Sequence, residues 1–230
     1  MNIAILLMGG SSLRTQTSIP KQYIKVANKE VFLYSFEIIN KNPSIDEIYV
    51  VLNEEHKDYT KVKINEYKSI KKIFYVKPGS TRQESVFNAL ELIKKNNIDT
   101  SKANVIIHDS SRPMLTTKLL NDAILSLEKS PANTASIPIS DSICTTFENS
   151  KIDKYLDRNK VFIIQTPQSF SFNILFEAHK KAILEHISFT DDASMVKYLG
   201  YDVNLFPGDK LNFKITTYDD LMLFKRLIGE

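Results

Sequence analysis

The chain has 230 residues, 43% of them hydrophobic and 25% charged, a balance that supports an ordinary core for one larger domain or a domain with a small appendage. Its formal net charge of +3 suits anionic small molecules and is too weak to argue for nucleic acid. No apolar run approaches the ~18 residues of a membrane helix, and the single cysteine, Cys144, excludes an internal disulfide, argues against a zinc cluster and points to a reducing compartment, the cytoplasm.

The opening run NIAILLM (2–8) lacks a basic lead and is cut short by Gly9 and Gly10. It therefore predicts a strand rather than a signal peptide. Further apolar, β-branched runs follow at 45–52, 70–76, 103–109 and 134–139. Helical spacing lies between them. Phe32, Phe36 and Ile39 share one face of 31–41, and Val86, Leu90 and Ile93 share one face of a helix over 82–95. A third helix is predicted over 116–129 behind a threonine cap. Strand and helix in alternation describe a mainly parallel sheet with helices on both faces, and such sheets bind ligands at the carboxyl ends of their strands. The cluster KSIKK (68–72) reads as a solvated surface, and Cys144 as a structural residue, because no matched histidine and acid accompany it.

After residue 139 the pattern changes. Residues 140–159 read as short β pieces around a polar turn at 148–151. An isolated hairpin is marginal in water, so it needs a partner, and a second copy of the chain is the simplest. The return through VFIIQTPQ (161–168) leads to two helical segments. A last helix starts at Thr217 or Tyr218, with Asp219 and Asp220 in its favourable first turn.

Short polar motifs fall where strands end. In LLMGGSSLRTQTSIPKQ (6–22), glycines give a ligand close access to backbone amides, and Arg14 and Lys21 add cations to the same loop. In PGSTRQESV (78–86), Gly79, Ser80, Thr81 and Ser85 offer small donors where a helix aims its amino end, which favours an anion; an ordinary N-cap has the same look. In VIIHDSSRP (105–113), Asp109 is placed to hold Mg2+ and Arg112 to fork onto a phosphate, or else the pair is a cap with a surface arginine. Later come DRN (157–159), QTPQSF (165–170), FTDDAS (189–194) and NFKIT (212–216). Lys214 is expected in a strand between Phe213 and Ile215. A Walker A sequence and the full G-x-G-x-x-G fingerprint are absent, which disfavours a nicotinamide-dependent oxidoreductase. No Ser-His-Asp set or glycosidase carboxylate pair is present to support those chemistries.

Taken in order from Leu6 to Leu221, these motifs resemble the 2-C-methyl-D-erythritol 4-phosphate cytidylyltransferases and, nearly as well, the ribitol-5-phosphate cytidylyltransferases. The resemblance implies a nucleotidyltransferase, Rossmann-like α/β fold spanning residues 1–230. It also implies a protruding β-hairpin dimerisation arm at about 138–160, CTP and a polyol phosphate as partners, and Mg2+ on the triphosphate. Carried over motif by motif, Arg14 and Lys21 flank the α- and β-phosphates. Leu7, Met8, Gly9, Gly10, Gly79, Ser80, Thr81, Arg82 and Ser85 hold the nucleotide, with Ser110 near the ribose or base. Arg158, from the other subunit, and Lys214 orient the polyol phosphate. Asp109, Arg112, Thr166 and Thr190 contact substrate or metal, with Asp109 nearest the metal. Ser12 stands where the family places a second loop glycine, and HDSSRP leans to the ribitol branch while TDDAS and DRN lean to the erythritol branch. The leading expectation that the resemblance implies is transfer to 2-C-methyl-D-erythritol 4-phosphate for isoprenoid precursors; ribitol 5-phosphate or another polyol phosphate is the alternative acceptor, and a non-catalytic sugar-nucleotide binder is a further alternative.

Overall fold

The computed structural model describes residues 1–9, 19–69, 71–96, 99–148 and 150–230. Among these, the central sheet has seven strands in the order β11-β7-β10-β6-β1-β4-β5. They are β1 (Asn2–Leu7), β4 (Glu47–Val51), β5 (Lys72–Val76), β6 (Asn104–Asp109), β7 (Ala132–Pro138), β10 (Phe162–Ser171) and β11 (Asn204–Pro207). A two-stranded ribbon pairs β2 (Lys25–Val26) with β3 (Lys29–Glu30), and a hairpin pairs β8 (Ile143–Phe147) with β9 (Lys151–Leu156). The helices are α1 (Val31–Lys41), α2 (Lys57–Asn65), α3 (Arg82–Lys95), α4 (Thr117–Ser126), α5 (Phe172–Leu184), α6 (Asp192–Tyr198) and α7 (Tyr218–Leu227). The expected mainly parallel sheet is present, with one exception: β10 runs antiparallel between β6 and β7.

Alternation along the strands builds two cores, because successive side chains leave opposite faces. Ile3, Ile5, Tyr49, Val51, Val105 and Ile107 meet α3, α5 and α6. Ala4, Leu6, Ile48, Val50 and Ile106 meet α1 and α4. Both faces are covered, so β1, β4 and β6 read as continuous apolar runs. A smaller cluster of Val26, Val31, Ile215, Leu221 and Phe224 ties the C-terminal segment and α7 to the start of α1.

Several expectations change. Lys214 does not lie in a strand: 213–216 is outside every sheet, held where the Ile215 amide donates to the Ser111 carbonyl at 2.8 Å. Burial of Ile215 in the small core fixes that segment without ladder partners. The third helix stops at Ser126 and 127–129 form turns, with Thr116 as the cap that accepts from the Leu119 amide. Lys71 is not simply solvated, because its ammonium donates to the carbonyls of Asn42 and Ile45. The strand β11 is an addition, since its edge position and polar start hide it from an alternation reading.

Candidate active site

Register places the site. In the parallel pairing of β1 with β6, Leu7 lies beside Asp109, so the loops after both strands leave at one end of the sheet. The Ser110 amide donates to the Leu7 carbonyl at 3.0 Å and locks the two strand ends together. The start of α3 arrives beside them. Thr81 caps this helix by accepting from the Glu84 amide, and Glu84 reaches back to accept from the amide and hydroxyl of Ser80. Gly79 donates its amide to the Ser85 hydroxyl, which in turn donates to the Thr81 carbonyl. Gly79 has to be glycine, since a Cβ there would fall 2.4 Å from the Cβ of Glu84. Gly9 is equally constrained, because Pro78 would lie 2.7 Å from its Cβ.

These elements enclose a cavity of about 430 Å3. It is lined by Leu7, Met8 and Gly9 from the end of β1, Lys21 and Gln22 from the following turn, and Gly79, Ser80, Thr81, Arg82 and Ser85 from the start of α3. Asp109, Ser110 and Ser111 close it below β6, and Lys214 closes it from the C-terminal segment. Among the described residues three lining groups are cationic and one is a carboxylate. The result is a small positive basin rich in backbone donors, suited to a polyphosphate.

Charge is organised around Asp109. Its carboxylate accepts from Lys214 Nζ at 2.7 Å and lies 3.4 Å from Arg82 Nε. Burial would push this carboxyl up, but the cations Arg82, Lys214 and Arg112 outweigh burial and hold it well below the usual carboxylate range. Arg82 also donates to Asp192 at 2.7 Å. Burial would lower the guanidinium, and Asp192 and Asp109 reverse that, so it stays charged. Lys21 is among the charges that hold Asp220 below its ordinary value, after the backbone amides of Thr217 and Thr216 overcome burial. Gln22 is buried and donates to the Met8 carbonyl at 2.6 Å, which pins this turn to the end of β1.

Not every sequence-predicted residue reaches the cavity. Gly10 and Arg14, together with Ser12, lie outside the described residues. Arg112 turns away to donate to the Asn212 carbonyl at 2.9 Å. Thr166 is buried behind the site, where its hydroxyl accepts from the Asp109 amide at 3.1 Å and lies 3.2 Å from His108 Nδ1. His108 Nε2 faces the Arg112 carbonyl at 3.0 Å. A carbonyl only accepts, so Nε2 carries the proton and Nδ1 accepts from Thr166. Thr190 is exposed before α6, and Arg158 is exposed at the base of the hairpin, donating to the Ser140 carbonyl at 2.9 Å. Gln22, Ser111 and Asp192 are the residues that sequence reasoning missed. All three lie inside the polar motifs at 6–22, 105–113 and 189–194, but no local spacing marks them as partners of the cavity.

A mainly parallel sheet with a glycine- and hydroxyl-lined cationic basin at its strand ends defines a phosphate-handling α/β enzyme. Comparison with known proteins narrows the class. The family model for 2-C-methyl-D-erythritol 4-phosphate cytidylyltransferase matches residues 2–230. The protein of that name from Clostridium tetani is 36% identical, covering 99% of this chain and 90% of its own. The one from Syntrophus aciditrophicus is 38% identical over 96% of this chain and 93% of its own. A 4-diphosphocytidyl-2C-methyl-D-erythritol synthase structure from Anaerococcus prevotii superposes with a TM-score of 0.86 at 27% identity, covering all of this chain and 96% of that one. The chain belongs to the 2-C-methyl-D-erythritol 4-phosphate cytidylyltransferase family, and it is a CTP-dependent nucleotidyltransferase.

Proposed function

We propose that this chain transfers a cytidylyl group from CTP to 2-C-methyl-D-erythritol 4-phosphate, releasing pyrophosphate, as a step in isoprenoid precursor synthesis. The observation that carries the reading is the cationic basin at the ends of β1 and β6, flanked by the start of α3, within a chain matched end to end by that family. A phosphate oxygen of the acceptor attacks the α-phosphorus of CTP. A new P–O bond forms there, and the bond to the pyrophosphate oxygen breaks. The nucleophile is already an anion, so no strong base is required. The difficulty is bringing anion to anion and stabilising the charge that grows on phosphorus, which is work for positioning and preorganised cations. Lys21, with Arg14 from the same loop, supplies those cations. Leu7, Met8, Gly9, Gly10 and the turn Gly79–Ser85 receive the nucleotide, with Ser110 beside its sugar or base. Lys214 orients the acceptor phosphate, while Arg112, Thr166 and Thr190 shape its surroundings.

Magnesium fits this site only as a companion of the nucleotide. Among the described residues no group of three or more His, Cys, Asp or Glu side chains converges. The one lining carboxylate, Asp109, already faces Lys214 and Arg82. A bare divalent ion would meet net repulsion there, whereas phosphate oxygens bring most of the ligands such an ion prefers. With the triphosphate bound, Asp109 would be the protein group to help hold the ion, which would neutralise phosphate charge.

The arm at 138–160 serves as a dimer contact in this reading. Phe147, Ile152, Tyr155 and Leu156 of the hairpin are exposed, with Phe162, Ile163 and Ile164 at its base. A second copy of the chain would cover this apolar surface and bring Arg158 to its partner's acceptor phosphate. The unpaired Cys144 supports a cytoplasmic setting.

The test is pyrophosphate release with CTP and Mg2+, offered 2-C-methyl-D-erythritol 4-phosphate and ribitol 5-phosphate in parallel. The erythritol phosphate gives the higher kcat/KM. A preference for ribitol phosphate would move the acceptor, and no release with either would overturn the catalytic reading.

A further inference from the structure

Behind the basin lies a buried polar chain that the proposed reaction does not use. Asp192 opens α6 and is fully buried. One of its carboxylate oxygens accepts from His179 Nε2 of α5 at 3.0 Å, and the other from Arg82 at 2.7 Å. His179 is also fully buried, stacks on Phe87 and leaves its Nδ1 without a partner among the described residues. Around these groups α3, α5 and α6 pack with Val86, Ala89, Phe176 and Ala193. A carboxylate in such a place costs desolvation, and a well-packed apolar side chain would stabilise the fold as well or better. What the carboxylate does provide is a fixed plane for Arg82. The guanidinium is held at its far end by Asp192 and beside its Nε by Asp109, so two carboxylates on different elements decide how it faces the cavity.

We propose that Asp192, held in turn by His179, is a positioning residue that fixes Arg82 in the nucleotide pocket. This rests on the cytidylyltransferase reading. Arg82 lines the cavity, and its rigid fork recognises phosphate only when its plane is set beforehand. Without Asp192 the side chain retains Asp109 alone and turns toward it, away from the orientation the nucleotide needs. His179 acts one step further back, by holding the second oxygen of Asp192 and so the carboxylate's rotation.

The test measures CTP binding by calorimetry in the presence of Mg2+ for the wild type, R82Q, D192N and the double variant, with a thermal melt on each. R82Q weakens CTP binding about tenfold, the weight of one good charge-assisted contact. D192N weakens it by a similar factor, and the double variant binds no worse than R82Q alone. In steady-state assays the loss falls on the KM for CTP rather than on the KM for the acceptor. Additive losses in the double variant, or unchanged affinity in D192N, overturn the positioning role, because a purely structural carboxylate would not act through Arg82. If D192N does not fold, H179Q replaces it: loss of CTP affinity that vanishes in the R82Q background supports the chain, and loss that persists there, or none at all, refutes it. A wild type that binds no CTP overturns the nucleotide reading itself, and so is told apart from a failure of the clamp.

Discussion

Lys21 lies in a short turn that the buried amide of Gln22 ties to the end of β1. Its ammonium therefore approaches the basin from a fixed base. If it stabilises charge that appears only as the phosphorus is attacked, Lys21→Ala lowers kcat by roughly 10²–10³ and changes CTP affinity much less. Stopped-flow turnover set against equilibrium binding checks this, and equal losses in both would contradict a transition-state role. Gly79 carries a second expectation at this scale. Gly79→Ala forces a Cβ into Glu84, so the turn that presents the start of α3 must open. CTP binding then weakens even though no donor has been removed. His108 makes a third. Burial pushes it down to about 4, below its ordinary ~6.5. A group whose folded value is lowered contributes stability that is complete above the unfolded value and is lost as pH falls toward the folded one. Urea unfolding at pH 7 and pH 5 should therefore show the wild type losing about 2 kcal/mol from this histidine. His108→Gln should lack that part of the slope.

Among the elements, α7 is the most fully capped. Thr217 accepts from the Asp220 amide while Asp220 accepts from the amides of Thr216 and Thr217. Thr217→Ala should cost about 1 kcal/mol in chemical denaturation, and because Ile215 and Lys214 hang from this helix start, acceptor affinity should fall with it. Elements of this kind were legible. The bounds of α1 and α3 coincide with the apolar spacing in the sequence, because each buries one clear stripe against the sheet. The start of α7 was equally open to reading from its threonine and acids. The irregular run around Lys214 was not legible. Alternating Phe213, Lys214 and Ile215 mimic a strand, while what holds them is one carbonyl on Ser111 and a core shared with Val26 and Val31. The partnership of Asp192 with Arg82 was hidden for a related reason. It joins residues 110 positions apart, and no local spacing encodes such a meeting. Glycines and hydroxyls at strand ends were readable because a turn's backbone needs are local.

At the scale of the whole molecule, the dimer proposal rests on the exposed apolar side chains of the hairpin. If two copies exchange Arg158 across their arms, Arg158→Ala and Lys21→Ala subunits are each inactive alone. Mixed dimers regain part of the wild-type rate, since one basin per pair then holds both intact groups. Continued inactivity in mixed dimers confirmed by mass would count against the exchange. Sedimentation at falling concentration gives the companion measurement: replacing Tyr155 and Ile152 with serine should shift the population toward monomer, as loss of large apolar anchors does at interfaces.

The strand β10 couples the base of the hairpin to the centre of the sheet. Its first residues pair with β7 alone, and its later ones lie between β7 and β6, next to Thr166, which supports the Asp109 amide. A slip of one residue along it would turn every side chain to the opposite face. An edit confined to β8 and β9 leaves the length of this strand alone, whereas one that reaches into β10 does not. An edit of the second kind also moves the floor of the basin, where Thr166 stands behind Asp109.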